Sequence, residues 1–149
     1  AVCNAELKAK IRQAAEREEQ LFYEERASET WLKDLEKLGT NANKPFLEDA
    51  PWLIVVFRCT QSDNAGQVYY SHESVGLACG LLLAAAQEAG LATLTHTPSP
   101  MRFLNSILGR PAHEKPFLLI PVGWPAASAQ FPEVAPQRRP LHESLTVRR

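Results

Sequence analysis

The chain has 149 residues, 45% apolar and 22% charged, with a formal net charge of −1 at pH 7. That length predicts one domain and that apolar share one ordinary core, while the near-zero net charge argues against nucleic acid as a partner. Charge is nonetheless uneven, with 8 Lys/Arg against 11 Asp/Glu in residues 1–50 and 7 against 3 in residues 101–149, so the basic end is either a solvated tail or a surface for a phosphate.

Residues 5–38 are rich in Ala, Glu, Lys, Arg and Leu, with Leu7, Ile11 and Ala14, then Trp31, Leu35 and Leu38, at helical spacing. Ser28 is a candidate N-cap, so two helices are predicted, the second closed by Gly39. Residues 40–51 have loop chemistry. The continuous apolar run WLIVVFRC, 52–59, predicts a buried central strand, and TQSDNAGQ, 60–67, a polar loop. Ser71 is the candidate N-cap of a helix reaching Gly90, with Glu73 in its first turn. The middle of that helix is apolar on every side, which predicts burial all round, and Gly76, Ala78 and Gly80 leave room for another helix. A strand over 91–97, a short helix over 100–108 and a buried strand over 117–124 follow. From residue 125 the chain is Pro-rich and reads as an extended arm. Helices alternating with apolar strands predict an α/β or α+β layered domain.

Cys3, Cys59 and Cys79 are widely spaced, with no C-x-x-C pair and no H-E-x-x-H, which argues against a disulfide framework or a metal site. Cys79 reads as a small core residue. The longest small and apolar run, 75–86, is too short to span a bilayer. No signal peptide is visible, and the start without Met reads as a truncation.

Four ordered blocks, WLKDLEKLGTN, ESVGLACGLLLAAAQEAGL, TLTHTP and LGRPAHEKPFLLIPVGWP, resemble the nitroreductase superfamily of FMN enzymes, and within it the branch that dehalogenates halotyrosines. The resemblance runs from about Cys3 to the end. It implies an α+β fold with a mixed sheet flanked by helices, and residues 1–149 as one domain lacking its N-terminal part. It implies a domain-swapped homodimer formed through the long central helix, with FMN sites built from both subunits and residues 125–149 as an arm around the partner. Electrons would come ultimately from NADPH through a linked reductase. The family's N-terminal Arg-Arg-Ser segment, the Pro-Ser loop after it and the membrane anchor of its animal members have no counterpart in these residues. Membrane attachment would need that anchor; otherwise the protein would be cytoplasmic.

The resemblance also implies residue roles. Thr95, His96 and Thr97 match the strand end that faces the flavin ring, with Thr97 the hydroxyl that hydrogen-bonds flavin N5 and favours one-electron chemistry. The plain alternative is that threonines suit a strand. His96 stands where a small hydroxyl residue is expected, so its contact would be through the backbone. Arg138, in QRRPLHE, would hold the FMN phosphate, with Arg139 the alternative. Glu19, Tyr23 and Lys44 fall at the offsets of a lid that binds an amino-acid zwitterion: carboxylate for ammonium, ammonium for carboxylate, phenol over the ring. Separately, they read as an acidic helix face, a core aromatic and a solvated lysine. The function implied is reductive dehalogenation of mono- and diiodotyrosine. A general nitroreductase or flavin reductase is the alternative, and an inactive truncated chain pairing with a full-length subunit is a third reading.

Overall fold

The computed structural model describes residues 1–62, 66–134 and 136–148. Helix α1 (Ala5–Leu21) begins where the Asn4 side chain accepts the Leu7 amide at 2.9 Å, satisfying one donor of the first turn. The chain then leaves α-helical geometry. Phe22–Arg26 form a π turn in which the Ala27 amide reaches the Phe22 carbonyl at 2.8 Å. Residue propensity does not distinguish an i→i+5 ring from an i→i+4 ring, so this turn left no mark in the sequence. Ser28 does cap α2 (Glu29–Glu36), accepting from the Trp31 amide at 3.3 Å, and Gly39 follows with φ 64°. The loop beyond holds a single turn, α3 (Phe46–Asp49).

Three strands, β1 (Trp52–Cys59), β2 (Ala92–Thr93) and β3 (Glu114–Gly123), form a sheet of order β1-β3-β2. Two expectations are corrected here. Every described pairing is antiparallel, including the bridges Val2–Leu53 and His96–Leu119, so the described sheet is not mixed. The central strand is β3, not β1, whose outer edge meets only the bridge from Val2 among the described residues. An apolar run reports cover on both faces, not neighbours on both edges, and cannot tell these cases apart. The strand expected over 91–97 shrinks to Ala92–Thr93 plus the His96 bridge, because Pro121 of β3, opposite Leu94, accepts the Leu94 amide at 3.4 Å but has no N–H to return the bond. At the far end of β3, a Cβ on Gly123 would stand 2.7 Å from Pro51 Cδ, so only glycine lets the two segments pass this closely.

One face of the sheet is closed by α1, α3 and α5 (Phe103–Leu108). Ile11, Ala15, Leu47, Leu53, Leu104 and Leu119, each fully buried, form the core there. Helix α4 (Ser71–Glu88) packs against β1 and β2. Its N-cap is Tyr70, in left-handed conformation at φ 51°, and not Ser71, whose hydroxyl accepts from Arg58 at 3.0 Å. Val75, Cys79 and Leu83, at four-residue spacing, are half-buried or buried, and burial pushes the Cys79 thiol up. Leu77 and Leu81 are 73% and 74% exposed. The expected burial all round therefore fails within one chain: the small sheet covers one side of an all-apolar helix and leaves the other bare.

Beyond residue 124 the described chain carries no strand; it holds turns closed by Ala129 N to the Ala126 carbonyl and Gln137 N to the Val134 carbonyl, and a short helix, α6 (Leu141–Ser144), while Phe131, Leu141 and Val147 are exposed. Residues 63–65 of the polar loop lie outside the described residues. No described helix is long and apolar enough to cross a membrane.

Candidate active site

A cavity of about 340 Å³ opens between the end of α1, α2, the loop before α3 and the segment after β2. Its walls include Glu19, Tyr23, Lys44, Thr95, His96 and Thr97, drawn from three distant stretches of chain. Five of these polar side chains come from segments without regular α or β structure, and the packing of α1 on the core brings them together.

Lys44 is the centre of the arrangement. It is only 4% exposed, and its Nζ lies 3.1 Å from Glu19 Oε2 and donates to Thr40 Oγ1 at 3.1 Å. The same ammonium stands 5.8 Å from the centroid of the Tyr23 ring, within reach of a cation–π attraction. The Tyr23 hydroxyl donates to Thr40 Oγ1 at 3.5 Å. A desolvated ion pair persists only with its remaining hydrogen bonds satisfied, and Thr40 supplies one of them. Glu19 lies in the last turn of α1, and the π turn places Tyr23 just past the helix, beside Lys44. Phe22 meets Trp31 edge to face at 4.9 Å and Tyr23 at 5.5 Å, giving the cavity an aromatic wall suited to a planar ring.

The stretch 95–97 forms another part of the lining. His96 is fixed by two backbone hydrogen bonds to Leu119, at 2.9 and 3.0 Å. Its side chain is buried, edge-on to Phe46 at 5.6 Å. Strand alternation around this bridge sends Thr95 and Thr97, both exposed, to the other side. The His96 Nε2 is buried without a hydrogen-bond partner. Burial, with a smaller contribution from the Lys44 charge, lowers the imidazole from 6.5 to about 4. At neutral pH it is therefore uncharged and does not compete with Lys44 for an anionic group.

Arg138 is not among the residues lining this cavity; it is exposed in the C-terminal segment, where Nη1 donates to the Gln137 carbonyl at 2.8 Å. Arg139 is likewise exposed and away from the lining. Thr40 and Trp31 line the cavity but were not singled out from the sequence. A loop threonine and a helix tryptophan carry no local signal of a site until the chain is folded. Among the described residues no cluster of His, Cys, Asp and Glu could hold a metal ion.

The chain is 56% identical over 141 residues to iodotyrosine deiodinase of Haliscomenobacter hydrossis, covering 89% of this chain and 62% of that protein. It is 44% identical over 151 residues to iodotyrosine deiodinase of Daphnia pulex, covering 97% of this chain and 49% of that protein. The chain thus spans about half to three fifths of these relatives. Its fold superposes on a crystal structure of oxidized iodotyrosine deiodinase bound to FMN and 3-iodo-L-tyrosine with a TM-score of 0.81 at 31% identity, covering 99% of this chain and 72% of that one. Residues 1–124 match the nitroreductase family. Antiparallel sheet, flanking helices, relatives and family match agree: the chain belongs to the nitroreductase family.

Proposed function

We propose that this chain serves FMN-dependent reductive dehalogenation of iodinated tyrosines, and that its residues form part of one nitroreductase-like domain with 125–149 as an arm. The observation that carries the reading is the buried Glu19–Lys44 pair, roofed by Tyr23, in a cavity whose lining includes Thr95 and Thr97. A zwitterionic amino acid offers an ammonium to Glu19 and a carboxylate to Lys44, exchanging one ion pair for two. Its phenol ring fills the aromatic wall. This is recognition by charge complementarity at fixed spacing, which a neutral aromatic cannot exploit.

The 95–97 wall fits a flavin ring edge: Thr95 and Thr97 present hydroxyls on the side away from buried His96, and a hydroxyl can donate to a ring nitrogen. Thr95 and Thr97 would hold that edge, and Arg138 would hold the phosphate, with Arg139 the alternative. Bound FMN would supply two electrons, ultimately from NADPH through a separate reductase. With one proton, these convert the carbon–iodine bond into a carbon–hydrogen bond plus iodide. The protein's part is to hold the ring against the flavin edge and to exclude water. Thr97→Ala should leave FMN affinity within about tenfold, because one hydrogen bond contributes roughly 0.5–1.5 kcal/mol. It should narrow the separation between the two one-electron potentials. An unchanged separation in stepwise reduction, with bound iodotyrosine, would remove Thr97 from this role.

The reading includes a homodimer. It is supported by the bare face of α4, where Leu77 and Leu81 stand exposed and nothing lies within 4 Å of a Cβ placed on Gly76 or Gly80. Burying each leucine contributes roughly 1.5–3 kcal/mol. Sedimentation of the protein should give a dimer, and L77E/L81E should give a monomer. A monomeric parent at micromolar concentration would contradict the dimer.

A further inference from the structure

We propose that Arg12 and Glu16 are positioning residues which set Lys44 for the carboxylate of an amino-acid substrate; this rests on the substrate reading above. Lys8, Arg12 and Glu16 recur at four-residue spacing and so share one face of α1. Each of them reaches the stretch that leads from Asn43 through α3. Lys8 Nζ donates to the carbonyls of Glu48 and Ala50 at 2.7 and 2.8 Å, binding the C-terminal end of α3. Arg12 donates to Glu48 Oε1 at 3.2 Å and to Asn43 Oδ1 at 3.0 Å. Glu16 Oε1 accepts Arg12 Nε at 2.7 Å and the backbone amide of Lys44 at 2.7 Å.

Three residues beyond Glu16, on the same face, stands Glu19, which holds the Lys44 ammonium. Helix α1 therefore grips Lys44 at both ends, the amide through Glu16 and the side chain through Glu19. The Lys44 carbonyl is tied to the Leu47 amide at 3.1 Å. A lysine stem has four rotatable bonds, and its ammonium is placed only if its backbone is placed. Partial burial by itself would raise the Glu16 carboxyl. The hydrogen bonds from Arg12 and the Lys44 amide, with the charges of both residues, outweigh it and leave Glu16 below the ordinary carboxylate range. Glu16 is thus a committed anion, acting through Lys44 without lining the cavity.

The test uses the flavin-loaded protein with dithionite as reductant, comparing 3-iodotyrosine with a neutral nitroaromatic. Glu16→Ala should raise KM for iodotyrosine about tenfold, the effect of one charge-assisted hydrogen bond, with kcat within about twofold. The dissociation constant of iodotyrosine, read from flavin fluorescence, should rise in parallel. Glu16→Gln, which keeps an acceptor for the Lys44 amide, should recover most of the loss. Lys8→Met should lower Tm without any selective change in KM. Wild-type turnover of iodotyrosine with Glu16→Ala unchanged, or with equal losses on both substrates, overturns this proposal alone. A flavin-loaded wild type that neither binds nor turns over iodotyrosine overturns the substrate reading, and this proposal with it.

Discussion

Replacing Lys44 by alanine should lower kcat/KM for iodotyrosine by about 10- to 150-fold, corresponding to roughly 1.5–3 kcal/mol for a charge-assisted hydrogen bond. Lys44 is almost wholly enclosed, its ammonium is shared among Glu19, Thr40 and the Tyr23 ring, and among the described residues the cavity lining holds no other lysine or arginine. A neutral nitroaromatic has no carboxylate to lose, so its reduction should change little. Truncation also leaves Glu19 as a largely buried, unpaired carboxylate, which destabilises the fold. The double variant Lys44→Ala/Glu19→Gln removes that charge and should keep the selective defect. Equal losses on both substrates would mean that Lys44 supports the flavin or the fold. No loss on either would favour a general nitroreductase.

Acid should weaken the fold through His96. Its imidazole is held near 4 against an ordinary value of 6.5 by burial and, less, by the Lys44 charge. Between those two values the unfolded chain binds a proton that the folded chain does not, so stability falls as pH falls. The contribution is complete above pH 6.5, about 2 kcal/mol is gone by pH 5 and about 3 kcal/mol by pH 4, at 1.36 kcal/mol per tenfold. Against the ~5–15 kcal/mol that holds an ordinary domain folded, this is a large fraction. His96→Gln should flatten the difference between pH 7 and pH 5, where most carboxylates are still ionised. The ring resonances of His96, followed by NMR, should titrate near 4 in the folded protein. Parallel slopes in wild type and variant, or titration near 6.5, would contradict the assignment.

Features written in local sequence were legible. Ser28 and Gly39 mark the limits of α2 because a side-chain acceptor and a left-handed residue act within one turn. The Glu19, Tyr23 and Lys44 offsets were legible only through the family resemblance, and the fold does bring the three together. What stayed hidden depends on distant parts of the chain. The π turn after Leu21, the left-handed Tyr70 ahead of α4 and the outer position of β1 all follow from how elements meet. Arg12 and Glu16 carry no local signal of their part. Their role exists only once the 43–50 stretch folds back onto α1. The exposed side of α4 is the converse case: its composition asks for cover on all sides, and one chain supplies only part of it.

If the Glu19–Lys44 cavity takes an iodinated tyrosine against a flavin, the protein should cleave the carbon–iodine bond whichever reductant loads the flavin. The most direct measurement is anaerobic turnover of 3-iodotyrosine by the FMN-loaded protein with excess dithionite, following iodide and tyrosine together. One iodide and one tyrosine should appear per substrate consumed, with both products suppressed in Lys44→Ala. A flavin-loaded protein that reduces a nitroaromatic under the same conditions but releases no iodide would contradict the substrate reading.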